Sequence, residues 1–95
     1  SVDDEATGEL SVLQDFNAPD EEAGAEELQR AILHAIEQLP YDLKQALTLR
    51  ELEGMSYIEI AAAMNCPIGT VRSRIFRARD HVVQEISEQF PGTFL

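Results

Sequence analysis

Apolar residues recur along this chain at helical spacing, and prolines, glycines and small polar residues punctuate the runs. Leu28, Ala31, Ile32, Ala35, Ile36 and Leu39 follow the 3.6-residue period of a single helix face. The run opens on Pro19-Asp20-Glu21-Glu22, where proline fits a first turn and acids face the positive end of the helix dipole; it stops at Pro40. A second helix is predicted over about Tyr41–Glu53, with Leu43, Ala46, Leu47, Leu49 and Leu52 turned to a core and Gly54 as a left-handed cap. Ser56 and Glu59 form a Ser-x-x-Glu capping box, which predicts a short third helix from Tyr57 to Met64. Asn65-Cys66-Pro67 ends it, because asparagine tolerates left-handed backbone and the residue before proline avoids the helical region. From Pro67 or Ile68 a fourth helix carries Val71, Ile75, Ala78, Val82 and Ile86, spaced four, three, four and four. No strand period is present. The expected fold is all-α: a small four-helix domain with a C-terminal helix-turn-helix and no winged element.

Charge changes the picture next. The chain has 95 residues, 18 acidic and 7 basic, for a net charge of -11. Backbone binding to nucleic acid needs Lys and Arg to displace counterions, so the average argues against such a partner. The charge is segregated, however. Up to Asp42 the acids are opposed by Arg30 alone, whereas from Lys44 onward acids and bases balance, and Arg72, Arg74, Arg77 and Arg79 follow one another with no acid among them. Residues 1–18 fit neither a helical nor a strand period and read as an acidic flexible linker or tail, leaving residues 19–90 as the folded domain. Length predicts one domain. One cysteine, no apolar leader and no run near the ~20 residues that span a bilayer predict a soluble, cytoplasmic chain.

The fourth helix carries the candidate chemistry. At 100° per residue its apolar stripe centres near Ile75 and Val82, and the opposite face holds Ser73, Phe76, Arg77 and Asp80, with Arg72 and Arg79 on one flank and Arg74 on the other. A short capped helix, a tight turn and a longer helix with a basic outer face make up the helix-turn-helix plan, whose second helix enters the major groove by its N-terminal residues. Arginine can reach guanine O6 and N7 as a fork, serine can bond base or phosphate, and Phe76 can meet a thymine methyl. The competing reading of the arginines is a solvated face whose members pair with Asp80, Glu85 or the acidic leader. Phe76 exposed among arginines favours DNA; packed on the first helix, it would mean the face is assigned one step out.

No enzyme is expected. His34 and His81 lie on different helices, Cys66 is alone, and no histidine or cysteine spacing suits a metal or a cofactor. Cys66 is expected in the core. His34 is expected beside the core stripe and His81 on the surface.

Taken together, Leu39-Pro40, the run Leu49-Arg50-Glu51-Leu52-Glu53-Gly54-Met55-Ser56-Tyr57-Ile58-Glu59-Ile60-Ala61, and the run Cys66-Pro67-Ile68-Gly69-Thr70-Val71-Arg72-Ser73-Arg74-Ile75-Phe76-Arg77-Ala78-Arg79 resemble the C-terminal domain (region 4) of bacterial extracytoplasmic-function (ECF) sigma factors, in the envelope-stress, RpoE-like group. The resemblance covers about residues 19–86. It implies binding to the upstream (-35) element of double-stranded promoter DNA through the fourth helix, docking on the beta flap of core RNA polymerase by apolar faces of the first three helices, and control by an anti-sigma factor. By motif position Arg72, Ser73, Phe76 and Arg77 would lie at the DNA with Thr70 in the same set, and Arg74 and Arg79 would meet phosphate.

The family also carries an N-terminal domain that reads the -10 element, so this chain is expected to be a C-terminal fragment, with its leader corresponding to the interdomain linker. The Gln89-Phe90-Pro91-Gly92-Thr93-Phe94-Leu95 tail departs from the basic ending common in the family. A reading of another class is a sigma mimic that occupies an anti-sigma factor without reading DNA; the acidic charge favours it and the arginine run opposes it.

Overall fold

In the computed structural model, residues 22–92 are described, with side chains from Gly24 onward. The expected linker at residues 1–18 and the expected helix start at Pro19 lie outside them. Four helices follow in order: α1 (Glu22–Glu37), α2 (Tyr41–Glu51), α3 (Tyr57–Met64) and α4 (Ile68–Gln89). No strand occurs among the described residues.

The core forms where the apolar stripes converge on α4. Val71, Ile75, Ala78, Val82 and Ile86 are all buried, as their spacing predicts. Leu28, Ile32, Ala35, Ile36 and Leu39 meet them from α1, Ala46 and Leu47 from α2, and Ile60 from α3. Each large side chain so enclosed contributes about 1.5–3 kcal/mol relative to exposure, which is why a 22-residue helix anchors three shorter ones. Phe90, just past the end of α4, packs half-buried against the same core, so the tail begins as part of the fold.

The connections match the sequence chemistry. Gly54 has φ +72°, and the Met55 N–H donates to the Leu49 carbonyl at 3.0 Å as the chain reverses after α2. At α3 both halves of the capping box are made: the Glu59 N–H donates to Ser56 Oγ at 3.1 Å and the Ser56 N–H to Glu59 Oε1 at 2.9 Å. Asn65 takes φ 56° and ψ 53°, and the Cys66 N–H closes the end of α3 by donating to the Ala61 carbonyl at 3.0 Å.

One helix face is corrected. The expected inward set of α2 included Leu52, but α2 ends at Glu51 and Leu52 is 59% exposed; Leu49, also expected inward, does pack against the core. The stripe is Leu43, Ala46, Leu47 and Arg50, spaced three, one and three, with Leu49 half-buried. A charged residue thus occupies the last inward position. The Arg50 guanidinium is enclosed where α2, the turn and α3 meet, and Arg50 Nη1 donates to the Met55 carbonyl at 2.8 Å. A buried cation is tolerable only when its donors are engaged in this way.

Cys66 is also shifted from expectation: it packs on the core half-buried, with Arg74 Nη1 3.8 Å from its Sγ. His34 and His81 are both exposed.

Removing the capping hydroxyl tests the local argument. Ser56→Ala is expected to lower unfolding free energy by about 1 kcal/mol in urea titrations of the full chain. An unchanged midpoint would show that α3 is held by packing alone.

Candidate nucleic-acid interface

The helix that anchors the core also presents the candidate site. Burial of Val71, Ile75 and Ala78 on one side of α4 forces Arg72, Ser73, Phe76 and Arg77 to the other, and all four are exposed. Phe76 is 71% exposed and does not pack on α1. Thr70 is half-buried in the first turn of α4. The exposed set begins only four residues after the start of the helix, so its side chains project from the N-terminal half, which a helix-turn-helix inserts into a major groove.

The four arginines divide into two pairs. Arg72 and Arg77 are exposed, whereas Arg74 and Arg79 lie against neighbouring helices. Arg79 Nη2 is 3.1 Å from Glu51 Oε2 at the end of α2, and that carboxylate side chain is only 6% exposed. This contact clamps α2 to the middle of α4 and occupies an arginine that motif position had set against phosphate. Arg74 Nη2 reaches Asp42 Oδ2 at 3.7 Å, a longer and more exposed pair that contributes little by itself. Among the described residues the acids that engage these arginines are Glu51 and Asp42 on α2, not the Asp80 or Glu85 that helical spacing suggested; the acidic leader, the other expected partner, lies outside the described residues.

Sequence reasoning missed two members of the site. Tyr57, the first residue of α3, lies half-buried between α2 and α4; the Arg50 guanidinium carbon is 4.8 Å from its ring centroid and that of Arg72 is 5.7 Å away. Both distances are within cation–π range. The spacing of Arg50 from Leu43, Ala46 and Leu47 was the signal that could have found it. Nothing in a linear reading brings Tyr57 to Arg72.

Elsewhere, a groove of about 480 Å³ lies between the end of α1 and the second half of α4, lined by His34, Ala35, Gln38, Leu39, Pro40, His81 and Glu85. It does not adjoin the arginine face. Among the described residues no group of three or more His, Cys, Asp or Glu could hold a metal ion, and no helix is long and apolar enough to cross a membrane.

An all-α core that uses one helix both as its anchor and as an exposed arginine-bearing surface, entered through a capped helix and a tight turn, defines a helix-turn-helix protein. Comparison with known proteins narrows the class. The family model for sigma-70, region 4, matches residues 29–82, and the chain belongs to that family. It is 54% identical over 74 residues to the ECF RNA polymerase sigma-E factor of Haemophilus influenzae, and 51% identical over 74 residues to the proteins of the same name from Escherichia coli and Salmonella typhimurium. Each match covers 78% of this chain and 39% of the relative, so the chain spans about two fifths of the length of the curated relatives it matches.

The division of the arginines is open to test. Glu51→Gln removes the carboxylate from a nearly enclosed ion pair and is expected to cost about 2 kcal/mol of stability, less than a fully buried pair because Arg79 remains 24% exposed. Arg79→Ala should likewise register in the unfolding midpoint; unchanged stability with a uniform loss of affinity for all duplexes and a shallower salt slope would return Arg79 to a phosphate-binding role.

Proposed function

We propose that this chain is the promoter-reading portion of an ECF-type sigma factor, recognising the -35 element of double-stranded DNA and directing RNA polymerase to stress-response genes. The observation that carries the reading is the outward set Arg72, Ser73, Phe76 and Arg77 on the N-terminal half of α4. Arg72 and Arg77 supply planar donors for guanine edges, Ser73 a small donor and acceptor, and Phe76 an apolar surface for a thymine methyl or sugar. Thr70, near the turn, joins the same proposed set, and Arg74 can reach phosphate by leaving its long ion pair with Asp42. Arg79 acts through the fold. The role is one of binding and positioning rather than catalysis, exercised in the cytoplasm, where the polymerase works.

Two further partners belong to the proposal. Leu33, Tyr41, Leu52 and Ile58 are large, exposed and apolar, and all lie on α1 to α3 or their connections; they supply the surface for the polymerase beta flap. An anti-sigma factor would hold the domain inactive by covering these residues or the arginine face. The names of the sigma-E relatives support the assignment to transcription initiation. The sigma-mimic reading gains nothing from the structure, since a mimic has no need of an outward Phe76 between two arginines.

Fluorescence anisotropy of the full chain at low salt tests the proposal. Selective binding to a duplex carrying an ECF-type -35 element over a scrambled one is expected, weak in absolute terms because the chain carries a net charge of -11. Arg77→Ala should then cost about 1–3 kcal/mol on the preferred element and relax preference at one base pair. Absence of selectivity would move the weight to anti-sigma capture.

A further inference from the structure

We propose that Tyr57 is a positioning residue for Arg72: its ring, backed by the buried Arg50 guanidinium, holds the first arginine of the exposed face in the orientation that reads DNA. The inference rests on the DNA-reading proposal above and deepens it.

The chain of contacts begins in the core. Arg50 occupies the last inward position of α2, is 7% exposed, and is fixed by the 2.8 Å hydrogen bond from Nη1 to the Met55 carbonyl. That carbonyl belongs to the turn leading into α3, so Arg50 locks the approach to Tyr57 as well as its own helix. Tyr57 starts α3 directly after the Ser56 cap, which sets the backbone direction there. Its ring lies against the Arg50 guanidinium at 4.8 Å and packs on the core. Arg72, whose backbone is on the exposed side of α4, has its guanidinium carbon 5.7 Å from the same ring.

Three helices thus converge on one aromatic ring, and the outermost member of the stack is a residue of the candidate interface. An unsupported arginine on a helix surface samples many rotamers, and ordering it costs free energy at the moment of binding. A ring that attracts the guanidinium over its face, without using the N–H donors of the planar fork, reduces that cost. Among the described residues no ring lies within cation–π range of the Arg77 guanidinium, so the effect is specific to Arg72. The ring suffices for this role; the phenol hydroxyl is not required, which separates positioning from direct contact by Tyr57 with the DNA backbone.

The test uses the full chain and three variants: Tyr57→Phe, Tyr57→Leu and Arg72→Ala. In the free protein, the Arg72 side-chain Nε–Hε resonance should be displaced by the ring current, keep its position in Tyr57→Phe, and move toward the random-coil value in Tyr57→Leu. An Arg72 resonance that is the same in all three forms overturns the positioning contact without reference to DNA. On duplexes substituted one base pair at a time, Arg72→Ala identifies the base pair that Arg72 reads. Tyr57→Leu should lower discrimination at that same base pair on the order of 3- to 10-fold while Tyr57→Phe retains it.

Thermal unfolding separates any general loss of fold, which would weaken all duplexes and disturb discrimination by Arg77 as well. Full discrimination in Tyr57→Leu, or loss of it in Tyr57→Phe, would falsify the proposal. If Arg72→Ala itself leaves every base-pair preference intact, the assignment of Arg72 as a reader fails, and positioning for reading fails with it, while the ring-current result still reports whether the stack exists.

Discussion

Everything in this domain depends on the burial of one side of α4. Val71, Ile75, Ala78, Val82 and Ile86 draw α1, α2 and α3 onto a single stripe, and no other helix touches all of its neighbours through so long an apolar face. Because a helix cannot bury one side without presenting the other, the same constraint that stabilises the fold sets Arg72, Ser73, Phe76 and Arg77 outward. Scaffold and interface are two faces of one element. The geometry of the proposed interface is then inherited from core packing, and a shift of α4 in its socket would move every candidate contact together.

Charged groups refine what the apolar stripe establishes. Arg50 replaces an apolar residue at the inward position nearest the turn, where a hydrogen bond to a turn carbonyl and the face of Tyr57 compensate its burial. Glu51, the next residue, grips Arg79 on α4. Adjacent side chains at the end of α2 thereby tie it to both partners of the helix-turn-helix. Such groups contribute less to net stability than apolar packing of the same volume, and more to fixing one arrangement over near alternatives. For a domain proposed to hold a side-chain constellation against DNA, that exchange is useful.

Much of this was legible in the sequence, for identifiable reasons. The four-helix plan is written in periodic apolar residues and in strong stop signals: Pro40, Gly54, the Ser56–Glu59 box and Asn65-Cys66-Pro67 each have a local physical effect that neighbours do not override. The outward position of Phe76 followed from the phase of a five-member stripe. What could not be read was long-range. Leu52 was placed in the core because a leucine at the end of an apolar run outweighs, on sight, an arginine two residues earlier, although Arg50 holds the better helical phase. Likewise the partners of Arg74 and Arg79 were sought at helical spacing or in the acidic leader, whereas the described acids that engage them lie on α2, some thirty residues away. Ion pairs between helices depend on how elements dock, and a linear pattern carries little of that information.

The central claim is that the exposed half of α4 meets the promoter. The most direct measurement is a titration of the isotopically labelled full chain with a -35 duplex, followed by backbone amide resonances. The account predicts saturable changes concentrated on Thr70 to Arg77 and on the start of α3, with the groove at His34 and His81 unmoved. Changes confined to that groove or to the apolar residues of α1 and α2, or no saturable change on α4 at low salt, would contradict it.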